Sequence, residues 1–158
     1  VSTLQNAKSA IEKIPEDDGP DLIRKGKTEI LGEIASVYHE MDRNDDTLAT
    51  LLAALDMAES IDSTRGRADA ITTVAVVQQK MDLPVAEETF EKALTMTEQI
   101  EDPVSRAHAL VNIAEKYQDL NRYGDANTLL EQATELANQV AGSEKSELVD
   151  RIYRVRQQ

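Results

Sequence analysis

Apolar residues recur along the chain at helical spacing, as in Ile30, Leu31, Ile34, Ala35, Val37, Tyr38 and Met41, with hardly any of the alternation a strand requires. The pattern itself repeats. Ile34-Ala35-Ser36-Val37-Tyr38, Val74-Ala75-Val76-Val77-Gln78 and Ile113-Ala114-Glu115-Lys116-Tyr117 begin 40 and then 39 residues apart, and Ile152-Tyr153 follows another 39 residues on, where a fourth copy would start. A second series interleaves with the first: Leu51-x2-Ala54, Phe90-x2-Ala93 and Leu130-x2-Ala133, each followed seven residues after its Ala by Ile61, Ile100 or Val140. Leu4-x2-Ala7 followed by Ile14 has the same form, so the chain opens on a half-unit. A period of this length marks a stack of supersecondary units rather than a single closed core.

Turn-forming residues separate the apolar segments: Pro15, Gly19 and Pro20; Asn44 to Asp46; Asp62 and Ser63; Pro84; Asp102 before Pro103; Gly124; Gly142 before Ser143. They predict eight helices at roughly 3–14, 21–42, 46–61, 64–81, 84–100, 103–120, 124–140 and 143–157, with Asp102 and Ser143 as N-caps and Pro103 as a first helical residue. Ala35, Ala75 and Ala114 on the first helices, with Ala54, Ala93 and Ala133 on the second, recur where helices about 8–10 Å apart must cross. Both ends read as finished. Helix 3–14 has the narrow stripe Leu4, Ala7, Ile11 and Ile14, and the last helix carries Leu148, Val149, Ile152 and Val155, with Arg151, Arg154 and Arg156 favoured by the helix dipole near its C-terminus.

Leu110-x2-Ile113-Ala114-x2-Tyr117 followed by Ala126-x3-Leu130-x2-Ala133 resembles the tetratricopeptide repeat, and Leu31-x2-Ile34-Ala35-x2-Tyr38 with Thr47, Leu51 and Ala54 follows it nearly as well. Ile71, Val74, Ala75, Gln78, Ala86, Phe90 and Ala93 form the loosest copy. The period is longer than that family's usual one, Glu59, Glu98 and Asn138 stand where it has a closing Pro, and there is no Trp. The resemblance implies an all-α fold, a right-handed solenoid of helical hairpins. One domain over 1–158 then divides into a half-repeat at 1–19, repeats at 20–62, 63–101 and 102–141, and a terminal helix at 142–158.

Composition narrows the functions. Seventeen Lys and Arg against 30 Asp and Glu give a net charge of −13, which repels nucleic acid. An acidic surface also suits a salty cytoplasm, and the two origins of the charge differ in how salt acts on binding and on stability. No apolar run approaches the length of a membrane span, no signal peptide begins the chain, and a cytoplasmic setting is expected; Val at position 1 suggests a module excised from something longer. With no Cys there is no thiolate site, and His39-Glu40 lacks the second His four residues on, where Arg43 stands. His39 and His108 lie two repeats apart, too far to share one metal. Carboxylate pairs such as Asp17-Asp18, Asp45-Asp46 and Glu87-Glu88 read as helix-start charges. No catalytic residue, metal or cofactor is expected.

Binding is better supported. On the first helices the positions left over by the apolar stripe form three strips: Glu29, Glu33, Ser36 and Glu40; Asp69, Thr73, Val76 and Lys80; His108, Asn112, Glu115 and Asp119. In tetratricopeptide-like proteins the first helices line the concave groove, so the resemblance implies that these strips, with His39, Gln79 and Gln118 beside them, face a ligand. The groove would be mainly acidic, with Val76 apolar at its middle and Lys80 the lone cation of the strips. That favours a polar or basic segment of another protein over an acidic tail, with no role for nucleic acid or membrane. The expected function is a scaffold for protein–protein interaction; the alternative is a structural protein that assembles through its terminal helices. A monomer is expected, with a homo-oligomer as the second possibility.

Overall fold

The computed structural model of the chain describes residues 2–15 and 19–157; the Asp17-Asp18 pair lies outside them. Eight α-helices, and no strand among the described residues, follow in order: α1 (Ser2–Glu12), α2 (Pro20–Glu40), α3 (Asn44–Glu59), α4 (Thr64–Lys80), α5 (Ala86–Glu98), α6 (Pro103–Asp119), α7 (Tyr123–Ala137) and α8 (Ser143–Arg156). Helices α2 and α3, α4 and α5, and α6 and α7 pair as hairpins. The first helices α2, α4, α6 and α8 lie side by side in chain order, and each second helix also touches the first helix that follows it. The result is an all-α stack of helical hairpins. None of the helices among the described residues is long and apolar enough to cross a membrane.

Helix starts follow their capping chemistry. The Asp102 carboxylate accepts from the Ser105 backbone N–H at 2.8 Å, just ahead of Pro103, and the Ser63 hydroxyl accepts from the Gly66 N–H at 3.2 Å. Ser143 is not a cap. Gly142 takes that place with φ of 79°, a conformation open to glycine, and Ser143 is the first helical residue.

The first helices end under one rule, one or two residues before the ends expected from the sequence. The three hairpin turns begin with Asp42, Asp82 and Asn121, at φ of 57°, 54° and 60°. In each, this left-handed residue bonds back to the carbonyl of His39, Gln79 or Gln118. The next residue, Arg43, Leu83 or Arg122, bonds to that of Tyr38, Gln78 or Tyr117. These two bonds form a Schellman motif, repeated at 40 and 39 residues with Asp or Asn in place of the usual Gly. Consequently α2 stops at Glu40, and α3 starts within the Asn44–Asp46 stretch expected to be turn.

The small residues expected at helix crossings, Ala35, Ala54, Ala75, Ala93, Ala114 and Ala133, are wholly buried. Around them the core is extended: one cluster runs from Ala58 through Val155, a second joins Leu31, Ala35, Leu51, Ala54, Val74 and Met81, and a third joins Ile11, Ile34 and Tyr38 with Leu4 and Ala7. At the far end Leu148, Ile152 and Val155 are buried, but Val149 is 42% exposed, so the stripe read along α8 is narrower than expected.

Candidate functional site: a polar groove on the first helices

Side by side, α2, α4 and α6 enclose a concave groove of about 650 Å³. From α2 it is lined by Lys25, Glu29, Glu33 and Ser36; from α4 by Asp69, Thr73, Val76 and Lys80, with Thr72 and Val77; from α6 by Asn112, Glu115, Lys116 and Asp119. Ten of the twelve residues of the three strips therefore line one cavity. His39, Glu40, Gln79 and His108 are not part of its lining. The lining has five carboxylates and three lysines, so it is less one-sided than the strips alone implied: Lys25 and Lys116 join Lys80.

Its floor is cross-linked. Lys25 Nζ stands 3.8 Å from Asp69 Oδ2, and the Asn112 amide donates to Asp69 Oδ1 at 2.8 Å. Arg151, from α8, then donates to Asn112 Oδ1 at 2.6 Å and to both Glu115 oxygens at 3.1 Å. One polar relay thus crosses four first helices, Lys25 to Asp69 to Asn112 to Arg151. Charge-assisted bonds of this kind are stronger than neutral ones where they are partly shielded from water.

Arg151 was read as a dipole-favoured residue near a helix end. Its partners lie instead on the neighbouring helix, and the register could have shown this: Arg151 falls 39 residues after Asn112, one period on. Its other guanidinium nitrogen lies 3.3 Å from His108 Nδ1. A guanidinium only donates, so Nδ1 is the acceptor and the His108 proton sits on Nε2. Burial, with Arg65 and Arg151 nearby, holds the His108 imidazole below its usual range against the opposing pull of Glu147 and Asp102. Gln118 also turns away from a ligand role, its amide donating to the Val155 carbonyl at 2.9 Å.

Glu29 and Glu33 are exposed, and among the described residues neither has an ion-pair partner. Lys80 is likewise exposed at the opposite end of the groove. Val76 is half-buried, packing on the core from one side while lining the groove from the other. The cavity therefore offers two unneutralised carboxylates on α2, an apolar patch at its middle and a lysine beyond. No group of three His, Cys, Asp or Glu residues able to hold a metal occurs among the described residues.

Paired helices stacked at a fixed period, with small residues at each crossing and a concave face on the first helices, define a helical-hairpin repeat protein. Residues 74–139 match the tetratricopeptide repeat family, and the chain is a tetratricopeptide-like helical-repeat protein. Repeats of this family are typically non-catalytic modules of protein–protein interaction. No curated protein and no solved structure matches the chain significantly.

Proposed function

We propose that the chain is a non-catalytic scaffold whose groove holds a polar or basic segment of another protein. The observation that supports this most is the pairing of Glu29 and Glu33, exposed and unneutralised, with the apolar Val76 in one cavity whose other carboxylates are already paired. A segment carrying Lys or Arg beside an aliphatic side chain answers both features. The cross-linked floor keeps the groove in shape before a ligand arrives, so binding does not have to order it. Lys80 and Lys116 at the other end give the segment a direction, since its cationic residues belong on the α2 side.

A displayed library of random peptides panned against the protein tests the reading. Recovered sequences should be rich in Lys and Arg next to Leu, Ile or Val, should bind more weakly as salt rises, and should be lost by a Glu29→Lys, Glu33→Lys double variant. Peptides that are acidic, or that bind this variant as well as the parent, would overturn it.

A further inference from the structure

The second helices contribute nothing to the groove, and α3 and α5 do not pack on each other: both pack on α4, which leaves a furrow between them. The ion pair of Lys92 with Glu59, the last residue of α3, bridges that furrow. Leu52 and Leu48 lie seven and eleven residues before Glu59, so they share its face of α3, and Val85 lies seven before Lys92 on the facing wall. All three are exposed, Leu48 at 51%, Leu52 at 62% and Val85 at 42%. Between α5 and α7 the same register holds Glu87, Glu91 and Asp125, with Arg122 where the first furrow has Leu83. Stacking two hairpins therefore does not require apolar side chains at these places. Leu48 with Leu83 stands in for the Glu87–Arg122 pair, but the fold asks nothing of Leu52, whose counterpart Glu91 is an exposed carboxylate.

We propose that this furrow is a second docking surface, separate from the polar groove, and that its occupant is a basic amphipathic helix of another protein. Charge complementarity fixes the occupant. Asp45, Leu48, Leu52 and Asp56 recur at i, i+3, i+7 and i+11, a stripe about 16 Å long on α3 with an apolar middle and a carboxylate at each end. Glu88, from α5, adds a third carboxylate beside Val85. Asp45, Asp56 and Glu88 are exposed, and among the described residues no cation is ion-paired with any of them. A helix of about three turns answers the stripe when two aliphatic residues at i and i+4 occupy its middle and Lys or Arg stands one turn before and one turn after. A helix suits the wall because α3 is itself a helix, whose side-chain ridges receive those of another at an axial spacing of about 8–10 Å. A second copy of this chain would bring the same carboxylates against themselves, and an anionic lipid surface would be repelled in the same way.

A displayed library of helical peptides randomised along one face tests the proposal, panned on the Glu29→Lys, Glu33→Lys variant, in which the acidic end of the groove is removed and the furrow is intact. Recovered helices should carry Leu, Ile or Met at i and i+4 with Lys or Arg a turn to either side, and the parent chain should bind them equally well. Leu52→Glu installs the residue that the next hairpin has at this register, and it should weaken these helices about tenfold or more. An Asp45→Lys, Asp56→Lys double variant should weaken them as much and remove most of the salt dependence. Far-UV circular dichroism verifies that each variant is folded, and Leu52→Gln replaces Leu52→Glu if it is not. Helices that bind the Leu52 variant as tightly as the parent, an acidic consensus, or no enrichment at all would overturn the proposal. So would a parent chain that dimerises through Leu52 in sedimentation velocity, since the occupant would then be a second copy. None of these outcomes touches the groove, whose reading rests on Glu29, Glu33 and Val76.

Discussion

The Arg122 guanidinium lies 4.5 Å from the centre of the Tyr117 ring while donating to both oxygens of Glu87, at 2.8 and 3.2 Å. It also bonds Asp125 at 2.7 Å and stands 5.4 Å from the Phe90 ring, so one side chain ties the turn of the third hairpin to α5 of the second. Glu87 holds the guanidinium above its usual range, and burial pushes the Tyr117 phenol up to about 12. Arg43, over the Tyr38 ring and paired with Asp46, repeats the arrangement in the first hairpin. In the second, Gln78, Leu83 and Val85 occupy the places of Tyr, Arg and Asp, and Leu48 takes that of Glu87. The set changes together: the junction is either ionic and aromatic or apolar.

Replacing Arg122 by Leu should therefore cost about 1–2 kcal/mol, with the exposed ion pair contributing the smaller part. Adding Glu87→Leu should return about 0.5–1 kcal/mol, because the pair then resembles Leu48 with Leu83. Urea denaturation of the two single variants and the double variant measures the coupling; strictly additive losses would count against it.

Asp42 and Asp82 hold a left-handed conformation that Gly adopts without strain. Asp42→Gly and Asp82→Gly should each raise stability by about 0.5 kcal/mol or more. Asn121→Gly should gain less, since Asn suits this region better and its side chain accepts from the Tyr123 hydroxyl at 3.1 Å. The order of thermal midpoints among the three variants is the measurement.

Gln78 is 5% exposed and its Oε1 has no hydrogen-bond partner, an uncompensated polar atom where the sister repeats bury a Tyr ring. Gln78→Leu should stabilise by about 1 kcal/mol. A loss of stability on denaturant titration would show that the amide is satisfied in solution.

The folded His108 imidazole is held below its ordinary value of 6.5, so the unfolded chain binds the proton more readily. Its contribution to stability is fully present above pH 6.5 and is lost as the pH falls below it. His108→Gln should flatten the stability curve in that window and leave the lower acid transition, to which Asp21 and Asp102 contribute through their lowered carboxyl values, in place. Melting temperatures from pH 8 to pH 3 for both proteins distinguish the two.

Much of this architecture was legible before any coordinates. The 39–40 residue period located every hairpin, and the buried Ala positions followed from how closely helices must approach. The helix stops were not read, because Asp and Asn at Asp42, Asp82 and Asn121 carry no glycine signal, although their spacing repeats with the period. Ten groove residues were found because they share a helix face. Periodicity states which way a side chain points, and it is silent on which neighbour a long side chain reaches; Lys25 and Lys116 join the groove, and Arg151 bonds to two of its lining residues, for that reason.

The relay from Lys25 to Arg151 makes the inner curve of the array a tension member. Flattening the array would lengthen the Asp69–Asn112 and Asn112–Arg151 bonds together, while on the outer side neighbouring hairpins are tied only by the exposed ion pairs Lys92–Glu59 and Arg122–Glu87, which resist little. The molecule should thus bend more easily to tighter curvature than to looser, and a long partner would be met by an arc that grips rather than one that unrolls.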